Sequence, residues 1–274
     1  AELYLQSMAF QDQYVLDDLK ETYTQELLQD FYTGSHPYGP FTTAKLSDAV
    51  GIYHTNPVLY YVPKQPALKE FNDSFGDELY MIEEHTGDGH GDLASFGYSN
   101  ELKSTDSMLE DLRDDEQYEV DKDLYLRDRD QVFSKMGDGA LMNLATRIIP
   151  GLRLMEGFND EIRSVKGFNS SPMTYVLDLT LLGETEKSKW LAQAKYLQDN
   201  LKSSDIDEAF KSFPVEVRDE TIDEIKKTLL ARLGNIQETA NEYYKILNKY
   251  AVVAGTDKDD WFEINRLNDT EREV

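Results

Sequence analysis

The chain has no cysteine among its 274 residues. This absence excludes disulfide bonds, thiolate nucleophiles and zinc sites built on cysteine. The sequence also lacks an apolar run of the roughly 18 to 20 residues that span a bilayer, and its start shows no signal-peptide pattern. We therefore expect no direct membrane insertion by this segment, and we expect any export signal or anchor to lie outside it.

Basic residues are scarce relative to acidic ones. The 28 Lys and Arg face 53 Asp and Glu, which gives a formal net charge of −25. Such a chain repels phosphate backbones, so nucleic acid is not an expected partner. Hydrophobic residues still make up 40% of the chain, with 17 Tyr and 12 Phe. A folded core is therefore expected without help from metals or disulfides.

The usual catalytic signatures are absent as well. No Gly-x-Ser-x-Gly elbow, His-Glu-x-x-His pair, phosphate-binding P-loop or dinucleotide fingerprint occurs in the sequence. Each of these patterns places a nucleophile, metal ligands or phosphate-binding backbone at fixed positions. The common hydrolase, peptidase and nucleotide-binding interpretations therefore have no motif to support them.

In the first half of the chain, the pattern of apolar residues predicts two helices and two strands. Residues 1–8 resemble an expression-tag remnant and are set aside. Apolar positions three and four apart predict a helix from residue 15 that ends at Gly34, and a shorter helix over residues 42–50. Residues 57–63 and 78–83 are rich in β-forming residues and predict two neighbouring strands that pair.

Two further segments of the first half stand out, and residues 85–91 and 114–123 are predicted to be the most mobile parts of the chain. Residues 85–91 contain too many glycines for a helix or strand and predict a loop. Residues 106–123 contain nine acids and two bases, which indicates a solvated stretch or a helix lying on the surface. Neither segment offers much apolar surface to bury.

The second half is predicted to be helical, with apolar stripes in residues 190–201, 222–233 and 236–251. Gly234 and Asn235 separate the last two stripes and predict a tight turn between antiparallel helices. That turn would bring together four residues in one buried interface: Ile225, Leu229, Tyr243 and Leu247. Residues 261–264 alternate like a strand whose pairing partner would lie beyond the end of the chain.

Together these elements predict an α+β fold that is mainly helical. The small antiparallel β portion is expected in the first half and a helical bundle in the second. We expect an α+β part in residues 9–135 and a helical part, ending in a strand, in residues 136–274. The two parts are expected to form one continuous module.

Asp128 and Asp130 form the sharpest local pattern for chemistry. Two carboxylates at positions i and i+2, ahead of the aromatic Phe133, can hold Mg²⁺ as metal-binding acids do in phosphoryl-transfer enzymes. The alternative is a pair of surface acids that form ion pairs with Arg127 or Arg129.

A second set of possible metal ligands lies in the glycine-rich loop: His85, Asp88, His90 and Asp92. Their nitrogen and oxygen donors are of the kind that zinc or manganese accepts. Glycine flexibility works against a preorganised site, so the alternative is a plain exposed loop. His54 lies near the end of a predicted element and is expected to be a structural histidine.

Several short blocks, in their order along the chain, resemble one family of bacterial envelope proteins. In that family a calcineurin-like metallophosphoesterase domain, a middle region similar to this chain and an outer-membrane β-barrel commonly follow one another. The resemblance covers most of residues 10–274 and implies neighbouring domains as partners and a periplasmic or outer-membrane-associated location. It rests on Ser-His-Pro-Tyr at residues 35–38 and on blocks at residues 49–57, 61–63, 75–79, 83–84, 127–133 and 253–266.

The middle region of that family is distantly similar to atypical kinases of the spore-coat and secreted type. In that comparison Asp128 and Asp130 stand where a metal-binding aspartate precedes an aromatic residue, and Glu83 or Glu84 lies on the strand nearest the nucleotide. Members of the family carry an Asp-Trp-Asp-Arg-His stretch where this chain passes directly from Arg127 to Asp128. Either that segment is deleted or the sequence skips residues there, and the chain lacks a nucleotide-gripping lysine and a catalytic base.

These patterns favour a non-catalytic interaction or scaffold region of an envelope phosphoesterase-like protein. The alternative is part of a kinase-like phosphotransferase that is complete only in a longer protein, with Mg²⁺ held by Asp128 and Asp130. A third interpretation places metal-dependent phosphoester hydrolysis in a neighbouring domain, because this chain lacks the His, Asp and Asn set of a two-metal hydrolase. No cofactor other than Mg²⁺ is implied.

Overall fold

A computed structural model describes residues 38–85, 87–115, 117–127, 157–168, 172–183, 185–249, 259–263, 265–266 and 272–273. The fold is α+β and mainly helical, with a small two-stranded antiparallel sheet in the first half and helices in the second. The predicted fold class is therefore confirmed. The predicted helix that ends at Gly34 lies outside the described residues.

Helix α1 spans Gly39–Val50 and includes the predicted residues 42–50. It begins three residues earlier than predicted, because Pro40 suits the first turn of a helix, where its missing N–H costs no hydrogen bond. Gly51 ends the helix in the left-handed conformation, with φ of 67°. The buried side of α1 carries Gly39, Thr42, Ala44, Ser47 and Val50.

Strands β1, Val58–Val62, and β2, Glu78–Ile82, pair in antiparallel register as predicted. Val58 lies opposite Ile82 and Val62 lies opposite Glu78. The connection between the strands holds a 3₁₀ segment, Pro66–Phe71, and the short helix α2, Asn72–Phe75.

The acidic segment of the first half forms two helices, of which the first lies on the surface. Helix α3 spans Thr105–Asp114 and buries none of its residues. Its first turn is capped by Ser104, whose hydroxyl accepts a hydrogen bond from the backbone N–H of Ser107 at 3.2 Å. Helix α4, Lys122–Arg127, follows. The prediction of a helix lying on the surface is confirmed for α3.

The second half contains five helices among its described residues: α5, Val165–Phe168; α6, Pro172–Leu182; α7, Lys187–Asn200; α8, Ser203–Ala209; and α9, Glu220–Leu247. Two 3₁₀ segments, Phe210–Ser212 and Val215–Val217, join α8 to α9. Helix α7 packs along α9, and α1 packs against both α7 and α8. The first half of the chain is thereby attached to the second.

The structure corrects the predicted helical hairpin at Gly234. Residues 220–247 form one helix of 28 residues that begins after Asp219, which caps it, and continues through Gly234. A single glycine costs a helix only about 1 kcal/mol. That cost is too small to break a helix whose two ends are each packed in a hydrophobic cluster.

Two hydrophobic clusters form the core, and α9 contributes to both. Cluster A consists of Ile206, Phe210, Phe213, Ile222 and Ile225. Cluster B consists of Val165, Leu182, Trp190, Tyr243 and Leu247. The predicted single interface is therefore wrong, because Ile225 and Tyr243 lie about 27 Å apart along a continuous helix. Leu229 packs against cluster A as a partly buried residue.

The strand predicted at residues 261–264 is also corrected. Residues 261–263 form neither helix nor strand, and Trp261 is almost fully exposed. Strand β3 is instead Asn265–Arg266, and it pairs with β4, Arg272–Glu273, so the partner strand lies within the chain. Alternation alone did not locate the strand, because a two-residue strand has no interior to show the pattern.

No helix in the described part of the chain combines the length and the apolar character that crossing a membrane requires.

Candidate functional site

The hairpin formed by β1 and β2 exposes apolar side chains on both of its faces. Because opposed residues of an antiparallel pair share a face, Val58, Tyr60 and Ile82 lie on one side of the hairpin. On the other side lie Leu59, Tyr61 and Met81. All six are exposed, and Ile82 and Tyr61 reach 52% and 59%. These six residues are called the hairpin surface below.

The hairpin surface has no second layer among the described residues. Sheet topology gives each strand a single neighbour, so both outer edges are open within the described ranges. Isolated two-stranded hairpins are marginally stable in water, and most gain stability from a third strand or a packed helix. Large apolar patches exposed on a folded protein mark binding surfaces. Among the described residues, the hairpin therefore leaves both its apolar faces and its outer edges uncovered.

Polar contacts hold the open end of the hairpin in place. The carboxylate of Glu84 accepts hydrogen bonds from the backbone N–H of Asn56 at 2.6 Å and from its side-chain amide at 3.1 Å. Thr55 donates to Glu83 at 2.8 Å, and Asn56 also donates to Ser95 at 3.1 Å. The two strands are thus fixed to each other and to the following loop at this end.

The turn end of the hairpin is held by Asp77, which adopts a positive φ of 64°. Its carboxylate accepts hydrogen bonds from the backbone N–H of Lys64 at 3.0 Å and from the phenol of Tyr61 at 3.1 Å. Aspartate tolerates this left-handed conformation better than most residues. Both ends of the exposed hairpin are therefore ordered by acidic side chains.

These contacts also fix the charge of two acids. The backbone N–H of Asn56 is the main cause that holds the pKa of Glu84 below its ordinary value. The backbone N–H of Lys64, followed by the phenol of Tyr61, lowers the pKa of Asp77. Hydrogen bonds donated to a carboxylate favour its charged form. Negative charge therefore persists at both ends of the hairpin in mildly acidic solution.

Glu83 and Glu84 do not occupy the position that the kinase resemblance implies. Strand β2 ends at Ile82, and both glutamates follow it. Their carboxylates are used to bind Asn56 and Thr55 across the end of the hairpin. Their observed role is structural.

The predicted metal ligands Asp128 and Asp130 lie outside the described residues, as does the junction between Arg127 and Asp128. A magnesium site at these aspartates remains a prediction. Among the residues that the structure does describe, no group of three or more His, Asp or Glu side chains is arranged to hold a metal ion.

The glycine-rich loop forms no helix or strand at residues 85 and 87–91, as predicted. Two of its possible metal ligands, Asp88 and His90, take part in internal contacts. Asp88 accepts a hydrogen bond from the backbone N–H of Leu102 at 3.1 Å, and His90 Nε2 lies 2.6 Å from the carbonyl oxygen of His85. The ring of His90 also packs on Phe96, with ring centroids 4.9 Å apart. The loop is therefore connected to the segment that follows it.

His54 is a structural histidine, as predicted. Its Nε2 lies 3.0 Å from a carboxylate oxygen of Asp48, and its Nδ1 lies 2.8 Å from the carbonyl oxygen of Thr55. These contacts link the end of α1 to the start of the hairpin.

One polar group in the core was missed by sequence reasoning. Asp178 on α6 is fully buried at 0% exposure. Its carboxylate accepts hydrogen bonds from the phenol of Tyr125 on α4, at 3.0 Å, and from the phenol of Tyr243 on α9. The available signal was a single acid inside an otherwise apolar helix, because such an acid requires partners when it is buried.

Comparison with known proteins gives no relative for this arrangement. The chain matches no protein-family model, no curated protein and no solved structure.

Proposed function

We propose that this chain is a non-catalytic interaction or scaffold module and that the hairpin surface is where it binds its partner. The observation that carries the proposal is the β1–β2 sheet, with apolar side chains exposed on both faces and open outer edges among the described residues. A surface of this kind lowers its free energy when another element covers it.

The acids around the hairpin support a binding role because they hold it in one conformation. Glu84 accepts hydrogen bonds from the backbone and the side-chain amide of Asn56. Asp77 accepts hydrogen bonds from the backbone N–H of Lys64 and from the phenol of Tyr61. A hairpin that is already ordered loses less conformational entropy when it binds a partner.

The partner that we propose is a neighbouring domain of a longer envelope protein. This part of the proposal rests on the short blocks that resemble envelope proteins with a metallophosphoesterase domain and an outer-membrane β-barrel. It places the module in the periplasm or at the outer membrane.

Site-specific photo-cross-linking in cells tests the proposal. A photoreactive phenylalanine analogue replaces Tyr60 on the hairpin surface or, as the control, Tyr118 beyond α3. The two tyrosines are exposed to similar degrees, 49% and 53%. We expect a discrete cross-linked product from position 60, with the cross-linked segment identified by mass spectrometry, and no such product from position 118.

A second variant connects the product to the apolar surface. Met81→Ser with Ile82→Ser, combined with the analogue at position 60, is expected to reduce the product strongly while circular dichroism shows an unchanged helical content. Equal labelling from positions 60 and 118 would reject the hairpin as the binding surface. A product that is insensitive to the serine substitutions would reject it too.

A further inference from the structure

We infer that the partner adds a β-strand to the outer edge of β2, and that this strand is apolar in its centre and carries Lys or Arg at both ends. The inference rests on the proposed function and specifies the partner's chemistry and the edge it uses. It follows from the prolines that flank β1 but not β2, and from the distribution of charge around the two strands.

The two edges of the hairpin differ in their flanking residues. Pro57 and Pro63 stand directly before and after β1. Proline has no backbone N–H to donate, and its presence at a strand edge blocks pairing with another strand. Strand β2 is flanked by Asp77 and Glu83 and by no proline. The edge of β1 is therefore closed to strand addition at both ends, whereas that of β2 is open.

Strand β2 also carries negative charge at both ends. Asp77 and Glu78 lie at its start, and Glu83 and Glu84 follow its end. In residues 52–101 there are nine acids and two lysines, and one of these lysines, Lys64, lies 3.6 Å from Asp73 in an ion pair. Complementary charge steers association and fixes the register of two surfaces. A strand with basic residues at both ends places positive charge against both acidic ends of β2.

The same negative charge argues against a second copy of this chain as the partner that pairs with β2. Pairing two β2 edges would bring four acids of one chain against four of the other, and like charges that face each other destabilise an interface. The formal net charge of −25 adds repulsion between whole chains.

The centre of the incoming strand is expected to be apolar on both faces. Leu79 and Met81 project to one face of β2, and Tyr80 and Ile82 project to the other. Directly opposed apolar side chains on neighbouring strands stabilise a sheet. Strand addition of this kind obtains affinity from backbone hydrogen bonds and specificity from alternate side chains.

A designed peptide tests the inference directly. The peptide has five alternating Val and Tyr residues, matching the length of β2, between a pair of lysines at each end. One control peptide replaces the lysines with glutamates, and another carries N-methyl groups on alternate backbone nitrogens so that it cannot pair as a strand. Binding is followed by fluorescence anisotropy, and the edge is mapped by hydrogen exchange of the backbone amides.

We expect the basic peptide to bind and to slow exchange in β2 more than in β1. The N-methylated peptide is expected not to bind, and the acidic peptide is expected to bind at least roughly tenfold more weakly, since each of several ion pairs contributes a few-fold. Binding of the basic peptide should weaken with added salt.

Charge reversal in the protein gives the matched test. Glu78→Lys with Glu83→Lys is expected to weaken binding of the basic peptide roughly tenfold and to strengthen binding of the acidic one. Glu110→Lys with Glu119→Lys makes the same change in net charge at exposed positions away from the hairpin and is expected to have little effect.

Three results would overturn the inference: no binding of the basic peptide, protection of β1 instead of β2, or equal effects of the two charge reversals. Concentration-dependent dimerisation of the chain through the hairpin, detected by analytical ultracentrifugation, would also overturn it in favour of a second copy. In each case a cross-link from position 60 that depends on Met81 and Ile82 would leave the proposed interaction role standing. Absence of that cross-link would contradict the proposed interaction role itself.

Discussion

At the scale of single residues, Asp178 is a buried acid in the core and depends on hydrogen bonds from its neighbours. A buried carboxylate requires hydrogen-bond donors, because burial without them costs several kcal/mol. Tyr125 and Tyr243 supply two donors from two different helices. The same contacts connect α4, at the end of the first half, to α6 and α9 in the second.

Tyr243→Phe is expected to lower the free energy of unfolding by about 1 to 3 kcal/mol, because it removes a hydrogen bond to a buried carboxylate. Tyr244→Phe is the matched control on the same helix, since no hydrogen bond of the Tyr244 phenol is described and its ring packs against Trp190. We expect the control to change stability by less than about 0.5 kcal/mol. Urea denaturation of both variants measures the difference, and equal effects would contradict the role assigned to Asp178.

Glu84 makes the order of the hairpin dependent on pH. Its pKa is lowered in the folded state, chiefly by the backbone N–H of Asn56. Its contribution to stability is therefore complete above the ordinary glutamate pKa of 4.5 and is lost as the pH falls through the lower folded pKa. We expect protection of the hairpin amides to decline below about pH 4.5.

Glu84→Gln should flatten this decline, because glutamine can still accept a hydrogen bond but does not titrate. Glu110→Gln, at an exposed position on α3, should leave the decline unchanged. Hydrogen exchange across the acidic range measures both variants. An identical pH profile for wild type and Glu84→Gln would show that another group controls the hairpin.

At the scale of elements, the sequence predicted α1, β1, β2 and the pairing of the two strands. These elements are short and are bounded by strong local signals: Gly51 after the helix, and Pro57 and Pro63 around the first strand. Residue pattern did not predict the continuity of α9. The effect of Gly234 depends on packing at both ends of the helix, and that information lies in residues distant along the chain.

The sequence also did not predict that the edges and the apolar faces of the hairpin are exposed. Val58 and Ile82 are of the residue types usually found inside a protein. Only the tertiary arrangement shows that no described element covers them. Asp128 and Asp130 form a clear sequence pattern, and the magnesium site that it indicates is still a prediction.

Gly234→Ala is expected to stabilise the protein by about 0.5 to 1 kcal/mol, because alanine favours a helix and a Cβ at this position would meet no neighbouring atom. Gly51→Ala is the control with the opposite sign. Its φ of 67° is strained for alanine, so a loss of about 1 kcal/mol is expected. A destabilising Gly234→Ala, measured by thermal or chemical denaturation, would support a turn at residue 234.

A double-mutant cycle distinguishes two clusters from one interface. Ile225→Val in cluster A should cost about 0.5 to 1.5 kcal/mol, and Leu247→Ala in cluster B about 2 to 5 kcal/mol. Because these residues belong to separate clusters on one helix, the two losses should add to within about 0.5 kcal/mol. A coupling energy well above that value would place the side chains in contact.

At the scale of the whole molecule, the division at residue 135 does not separate two independent cores. Tyr38, next to α1, packs on Phe213 with ring centroids 5.8 Å apart, and Leu46 packs against cluster A. Near residue 125, the first half joins cluster B through Tyr125 and Leu126. The apolar residues of the hairpin surface, in contrast, are exposed and belong to neither cluster.

Hydrogen exchange of the β2 amides, Glu78–Ile82, is the most direct test of the hairpin as an interaction surface. The rates are compared between this chain alone and a longer protein that carries the neighbouring domains proposed above. We expect β2 to exchange substantially more slowly in the longer protein, while the surface helix Thr105–Asp114 exchanges equally in both. Equal rates for β2 in the two samples would contradict the hairpin as an interaction surface, because nothing would then cover it.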